Sequence, residues 1–413
     1  MLDIKFIREN KDLIKEAARK KRVKVDVDRL VAVDEKRRAL IQEVDELRKK
    51  HKEFTDASEE AKASKGLLSH KEFELKALEE EFEELMLWVP NVPDPSVPEG
   101  ESDADNQEIR KWPVSPSQGG GEIKVEHGEN YLNLMQSRDM LDLERGAKVS
   151  GFRGYFLKGD AALLSMALWQ FTLDFLAKKG FTPFFAPALI KRENMLGTGW
   201  FPQSEEDIYK TQDDVYLSGT SEVPMMGYHA GEILKEEELP KKYAAFSPCF
   251  RREIGSYGKD TKGVFRVHEF YKVEQVILSK ADHQESVKWH EELTKNSEEI
   301  MRALEIPYRV VVNCGGDLGL GQVKKYDIEG WIPSEERYRE THSASYFHDF
   351  QTRRLNIKYK DYAGKVHFAH SLNNTAIATP RILEAFLENN LQSDGSIKIP
   401  EALQKYFGKS EIK

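Results

Sequence analysis

Residues Phe250–Glu274 read FRREIGSYGKDTKGVFRVHEFYKVE. The stretch predicts two strands flanking a long glycine-containing loop, with Arg251 and Glu253 on the way in and Phe270 and Glu274 on the way out. Side chains alternate across a strand, so Arg251 and Glu253 share one face of theirs, and Phe270, Lys272 and Glu274 share one face of the other. An arginine, an aromatic ring and carboxylates on one sheet face suit a nucleotide. The guanidinium can fork onto phosphate oxygens, the ring can stack on a base, and a carboxylate can take an exocyclic amine. A salt-bridged hairpin without any ligand fits the same spacing equally well.

Outward from this stretch, short β-rich runs recur at Tyr243–Phe250, Gly263–Leu278, Tyr308–Asn313, Arg354–Tyr359 and Val366–His370. Helical patterns interrupt them near Asp282–Ala303 and Arg381–Leu391, and Asp160 is placed to cap a helix that runs to Lys179 and stops at Gly180. Strands that outnumber helices, without βα alternation, predict an α+β domain on a mostly antiparallel sheet. There is no internal repeat and no P-loop, and the glycine-rich GGDLGLG does not open a helix in the dinucleotide pattern.

Towards the N-terminus the pattern changes. Leu30, Val33, Leu40, Val44, Leu47 and Phe54 form a heptad with Arg37 and His51 in its polar slots. A second heptad runs through Leu68, Leu75, Leu78, Phe82, Leu85 and Val89, broken only by Lys71. Spacings of 3.5 on average keep one stripe facing a partner helix. The polar stretch Thr55–Gly66 lies between them, so the two predict an antiparallel coiled-coil hairpin. Four prolines and an acidic tract in Pro90–Asn106 end it and read as a linker. Two domains follow: a helical arm over 1–105 with the Pro-rich linker at its end, and an α+β domain over 106–413.

The 413 residues carry 62 Lys+Arg against 71 Asp+Glu, a net charge of −9, with 39% apolar and 32% charged residues. This length gives two or three domains and a large core. No apolar run approaches the ~18 residues of a membrane span, and the start MLDIKFIREN lacks a secretory layout. Two cysteines, Cys249 and Cys314, make no disulfide framework, and no CxxC or HExxH motif supports a metal cage. A cytoplasmic protein without membrane contact is expected. Acidity overall argues against coating by nucleic acid, yet residues 1–25 hold nine basic and four acidic side chains, and RKKHK at Arg48–Lys52 adds a second basic cluster. Together on one domain they predict an RNA-facing surface.

Along essentially its whole length the sequence resembles the seryl-tRNA synthetases of the class II aminoacyl-tRNA synthetase family. The FRxE…HxFxKVE pattern of Phe250–Glu274 is similar to motif 2, and GFTPFFAP at Gly180–Pro187 to motif 1, which builds a dimer interface. GTSE at Gly219–Glu222 resembles the serine-site TxE loop, RETHSASYFHDFQTRR at Arg339–Arg354 the E-x-x-S…DFQ-x-RR signature, and SLNNTAIATPR at Ser371–Arg381 motif 3. The resemblance implies a class II antiparallel catalytic sheet with flanking helices, behind a tRNA-binding coiled-coil arm. It implies a homodimeric enzyme that activates serine with ATP to seryl-adenylate and transfers it to tRNA(Ser), and to tRNA(Sec) where one exists.

Residue by residue, the resemblance assigns Arg251, Arg381 and Glu274 to catalysis. Arg251 would grip the α-phosphate and the serine carboxylate, and Arg381 the γ-phosphate. Thr220, Ser221, Glu222, Glu274 and Thr375 would join Arg251 around serine. Arg252, Glu253, Val267, His268, Glu269 and Phe270 would surround ATP, with Phe270 stacked on adenine and Glu253 near its amino group. Glu340, Thr341, His342 and Ser343 would complete the nucleotide site, with Glu340 and Ser343 as Mg²⁺ ligands. The serine carboxylate is already ionised, so positioning and charge neutralisation carry the first step. Departures cluster in motif 3, where NNTAIATPR stands for N-G-S-G-L-A-x-G-R. Asn374 and Ala376 in place of glycines are expected to tighten the pocket, and Thr379-Pro380 to serve as helix cap and first helical residue. Two rival readings remain: a catalytically silent paralogue that binds RNA or protein through its arm, and a ligase that charges a carrier protein.

Overall fold

Aspartates cap two of the long helices. Asp26 Oδ1 accepts from the Arg29 N–H at 2.8 Å and Asp282 Oδ1 from the Glu285 N–H at 2.9 Å, each satisfying a donor that the first helical turn leaves free. The computed structural model describes all residues except 53–58, 114–129, 255–257, 259 and 261, and the backbone alone of Glu60. Two units divide the chain, Met1–Val92 and Pro93–Lys413.

The first unit is helical: α1 (Ile4–Glu9), α2 (Lys11–Lys20), α3 (Val27–His51) and α4 (Glu59–Trp88). Pairing of Arg29 with Glu81 and of Glu43 with Lys71 makes α3 and α4 antiparallel, as the heptads predict. Leu30, Val33, Leu40 and Val44 are buried, and Arg37 in its polar slot lies 4.2 Å over the Phe82 ring. The expected reversal Thr55–Gly66 overlaps the start of α4. Residues 59–66 already belong to α4, because EEAKASKG is rich in helix-forming Glu, Ala and Lys; Phe54 and Thr55–Ser58 lie outside the described residues. Helices α1 and α2 have no counterpart in the sequence reading. Their Ile7 and Ile14 pack with Val27, Leu30, Val31, Met86 and Val89 in one core. Asp34, fully buried, gathers Arg8, Arg37 and Arg38 within 3.2 Å. Part of the basic charge at the N-terminus is therefore spent internally.

The second unit is built on one eight-stranded sheet: β1 (Gln107–Trp112), β2 (Thr182–Phe185), β3 (Lys241–Phe250), β4 (Glu269–Ser279), β5 (Tyr308–Val312), β6 (Lys324–Ile332), β7 (Arg337–His348) and β8 (His370–Thr379). Their order is β1-β5-β6-β7-β8-β4-β3-β2, antiparallel throughout except for the parallel β2–β3 pair. Helices α5 (Gly159–Lys178), α7 (His283–Ala303) and α9 (Arg381–Asn389) cover one face; the short α6 (Glu222–Gly227) and α8 (Phe350–Leu355) flank the other.

Several local expectations are corrected. Strand β3 ends at Phe250, so Arg251 and Glu253 lie on the loop beyond it, with Glu253 at φ +55°. The run from Gly263 becomes a strand only at Glu269. Arg354 and Leu355 are helical, and the predicted strand shrinks to Lys358–Lys360. Helix α5 starts at Gly159, which places Asp160 in the first turn, where its charge favours the helix dipole, rather than at the cap. Pro380, with no side-chain bond to offer, occupies the cap of α9, and Thr379 ends β8. The Pro-rich segment is no free linker beyond Val92. Tyr346 Oη donates to Asp94 at 2.8 Å, and the Gly315 and Gly316 N–H groups donate to the Pro98 and Gly100 carbonyls. Residues 93–105 thus belong with the sheet, and the chain divides thirteen residues before the expected 105/106 boundary.

Candidate active site

A cavity of about 330 Å³ opens on the sheet face opposite α7 and α9. Four strands aim side chains into it, β6 through Lys325. On β4 strict alternation presents Phe270, Lys272 and Glu274, while Tyr271 turns back to Trp169 of α5. On β8 it presents Asn373 and Thr375. On β7 simple alternation would set Glu340 and Ser343 on opposite faces. A β-bulge corrects this: Ile328 pairs with His342 and Glu329 with Glu340, so Thr341 is the extra residue and both oxygen donors line the cavity. Gly219 brings the 218–221 loop against the motif 2 segment; a Cβ there would stand 3.3 Å from Arg251 Cγ and from the Phe250 carbonyl.

One end of the cavity is acidic and hydroxylated. Thr375 Oγ1 donates to Glu274 Oε2 at 3.3 Å, and Lys272 Nζ reaches both Glu274 Oε2 at 2.6 Å and Thr220 Oγ1 at 2.8 Å. Glu222 Oε1 accepts from Gln351 Nε2 at 2.6 Å, and Ser371 Oγ donates to Gln351 Oε1. Burial, then the charge of Glu274, pushes the Glu222 carboxyl up to about 7 against the opposing pull of Gln351 and Lys272. The arrangement is complementary to an ammonium group and a hydroxyl.

The other end is cationic. Arg251, Arg266, Lys325 and Arg381 all line the cavity. Burial lowers Arg381, opposed by Glu340 and reinforced by repulsion from Arg251 and Arg266, so positive charge is stored where an anion would relieve it. Burial would raise Glu340, but Arg381 and then Lys325 and Arg251 hold its carboxyl below the usual range. Arg251 makes a single long bond to the Gly219 carbonyl, 3.4 Å, and packs over Trp200 and Phe270; its buried Nε has no partner among the described residues. Its donors remain available at the junction of the two ends.

Of the residues named from the sequence, Thr220, Glu222, Arg251, Glu253, Val267, Phe270, Glu274, Glu340, Thr341, His342, Ser343, Thr375 and Arg381 come together around this cavity. Four do not line it. Ser221 is buried against Ser247 Oγ at 2.7 Å, and Arg252 reaches the Glu206 carbonyl. The His268 ring pairs with the Arg251 carbonyl, and Glu269 faces a neighbouring cleft beside Tyr155. His342 uses both ring nitrogens within the sheet, on Thr341 Oγ1 and the Ala376 carbonyl, and burial lowers it to about 4. Glu253 is engaged by Arg266 at 3.1 Å. The expected tightening by Asn374 and Ala376 does not occur, since neither lines the cavity. Asn374 points to the helix side and donates to the Leu293 carbonyl and Ser297 Oγ of α7, while Ala376 sits in the β8 bulge. The sequence reading gave no role to Trp200, Arg266, Lys272, Gln322 or Lys325. Strand alternation already puts Lys272 beside Glu274; for the others no local signal exists.

The model for the tRNA synthetase class II core domain (G, H, P, S and T) matches residues 206–390, and that for the seryl-tRNA synthetase N-terminal domain matches residues 1–93. A serine–tRNA ligase of Deinococcus radiodurans is 46% identical over all of this chain and 99% of its own, and one of Pyrococcus furiosus is 43% identical over all of this chain and 97% of its own. Among solved structures, the seryl-tRNA synthetase of Pyrococcus horikoshii complexed with ATP superimposes with a TM-score of 0.90 at 39% identity, covering 100% of this chain and 99% of the other.

Proposed function

Because the chain belongs to the seryl-tRNA synthetase family of class II aminoacyl-tRNA synthetases, we propose that it is an ATP-dependent serine–tRNA ligase. One observation carries the reading. A single cavity joins an acid-and-hydroxyl wall to an arginine-lined wall, and Arg251, with donors to spare, stands between them. Glu222 would take the serine ammonium, and Glu274 with Thr375 its hydroxyl. Arg251 would hold the serine carboxylate and the α-phosphate together, so that a carboxylate oxygen attacks phosphorus and pyrophosphate leaves. Positioning replaces a large entropic cost, and the guanidinium neutralises charge as it develops. Arg381 and Arg266 suit the outer phosphates, and Phe270 is the flat surface for adenine. The 3′-terminal ribose hydroxyl of tRNA would then take the seryl group.

Glu340 and Ser343 fit Mg²⁺, which takes oxygen ligands and is commonly held by one or two protein groups together with substrate phosphates. Arg381 and Lys325 keep the Glu340 carboxyl ionised for that purpose. The ion would draw charge from the phosphates. Among the described residues no set of three His, Cys, Asp or Glu side chains is placed to hold a metal, so substrate phosphates and water would have to complete the shell.

The arm supports recognition of tRNA(Ser), and by the same shape tRNA(Sec), through phosphate contacts. Edge strand β2, with Phe185 83% exposed and Leu189 also open to solvent, supports a homodimer through motif 1. No helix among the described residues is long and apolar enough to cross a membrane, and we place the enzyme in the cytoplasm with its tRNA. A silent paralogue would have no reason to keep Arg251, Glu274, Glu340 and Arg381 on one cavity. A ligase for a carrier protein would not need the N-terminal unit. The test is charging of unfractionated tRNA with labelled serine: acid-precipitable, ATP-dependent label on the tRNAs with long variable arms is expected. Label on a small protein, or none, would reject the assignment.

A further inference from the structure

Phe265 has no part in the chemistry above, yet two guanidinium groups meet on its ring. Arg339 Cζ lies 3.5 Å and Arg381 Cζ 4.4 Å from the ring centre. The ring is buried on the cavity wall, in the segment that leads into β4; Arg339 comes from β7, and Arg381 is the first residue of α9. Phe265 holds Arg381 a second time through its backbone, since its carbonyl accepts from Arg381 Nε at 3.2 Å. A cation over an aromatic face is attracted by the negative side of the ring quadrupole, and more strongly out of water. An aliphatic side chain would fill the same space without that attraction.

Two like charges on one ring repel, and their surroundings treat them unequally. Arg339 Nη2 donates to Asp260 Oδ1 at 2.5 Å, and its Nη1 to both carboxylate oxygens of Glu335 at 3.0 Å. Burial lowers Arg339, but its bonds to Asp260 and Glu335 outweigh this and hold the guanidinium above its ordinary value. Burial lowers Arg381 too, and there it prevails. Arg381 Nη1 donates to the Glu340 carbonyl at 3.3 Å with the Glu340 carboxylate 3.8 Å away, and Nη2 makes no hydrogen bond among the described residues. The charge of Arg339 is thus answered within the protein. Arg381 is fixed in place with a donor and much of its charge still available.

We propose that Phe265 is a positioning residue of the first step: stacked against Arg339, its ring and its carbonyl hold the Arg381 guanidinium ready for ATP. This rests on the reading of the cationic end of the cavity as the ATP end. Immobilising a free arginine costs side-chain entropy at the moment of binding, and an arginine already held loses little more. Phe265 acts through Arg381, so its removal should matter only while Arg381 is present.

The test is equilibrium ATP binding and serine-dependent ATP–pyrophosphate exchange by full-length wild-type, Phe265→Leu, Phe265→Met, Phe265→Tyr, Arg381→Ala and the Phe265→Leu/Arg381→Ala double variant, with thermal unfolding as the folding check. Phe265→Leu is expected to weaken ATP binding at least fivefold with the serine KM within twofold. Phe265→Tyr, which keeps the ring, should recover most of the loss, and Phe265→Met decides the matter if the leucine variant does not fold. The double variant should bind ATP no worse than Arg381→Ala alone, because Phe265 acts through Arg381. A smaller loss in Phe265→Leu, an equal loss for serine, or a tyrosine variant no better than leucine would overturn the proposal. So would losses that multiply in the double variant, the mark of a ring that meets ATP by itself. Unchanged ATP binding by Arg381→Ala would overturn the reading of the cationic end, and the proposal with it.

Discussion

The Glu222 carboxyl, pushed up to about 7 by burial and by Glu274, gives the serine site its own pH dependence. Its pKa is raised in the fold, so the neutral form is favoured; the stability that this contributes is full below the unfolded value near 4.5 and is lost as pH rises through 7. Serine binding runs the other way, because an ammonium is held by the ionised form. The serine KM should therefore fall as pH rises from 6 to 8 while the ATP KM changes little, and a flat serine KM would remove Glu222 from the ammonium site. Glu274→Ala should abolish serine activation with ATP affinity, read by equilibrium binding, within about twofold, since it strips the acceptor from a buried hydroxyl site. Exchange at the wild-type rate in this variant would contradict the assignment. Arg251→Lys keeps the charge but not the planar fork, and the packing over Trp200 and Phe270 is specific to a guanidinium. Single-turnover adenylate formation should fall by at least tenfold, about 1.4 kcal/mol of barrier; a smaller drop would mean that Arg251 is not the clamp.

Among the elements, β8 explains how the motif 3 departures are absorbed. Asn373 and Thr375 face the cavity, while Asn374 is turned to α7, where its amide donates to the Leu293 carbonyl at 2.6 Å and to Ser297 Oγ at 2.9 Å. Gln275 and Asn296 join the same buried seam. Asn374→Ala should cost ~1–3 kcal/mol of stability through the unsatisfied partners, seen as a lower Tm, with the serine KM within twofold; a raised KM would show that the seam shapes the pocket after all. The same strand shows what a sequence hides. The heptads of α3 and α4 are legible because one stripe is apolar and the other face polar. Strands β7 and β8 bury Thr341, His342, Ser345, Ser371, Asn373, Asn374 and Thr375, so apolar periodicity is absent just where the sheet is most enclosed. The bulge at Thr341 is equally silent in sequence, although it decides which oxygens reach the cavity. The motif residues themselves were legible as patterns, whereas Arg266 and Lys325 join the site only through the fold.

At the scale of the whole chain, the division at Val92/Pro93 refines where a truncation should fall. Deleting residues 1–92 should leave adenylate formation nearly intact and cripple tRNA charging, with tRNA binding by the intact protein weakening steeply as salt rises. Deleting 1–105 should in addition destabilise the catalytic unit, because it removes the bonds of Asp94, Pro98 and Gly100 to Tyr346, Gly315 and Gly316. Equal charging by the 1–92 deletion and the full-length protein would reject the arm as the tRNA-binding element. The central claim is that one cavity joins serine to ATP. Its most direct test is ATP–pyrophosphate exchange by the full-length protein with each of the twenty amino acids in turn. The account predicts exchange with serine far above every other amino acid; exchange with none, or a clear preference for an amino acid without a hydroxyl group, would contradict it.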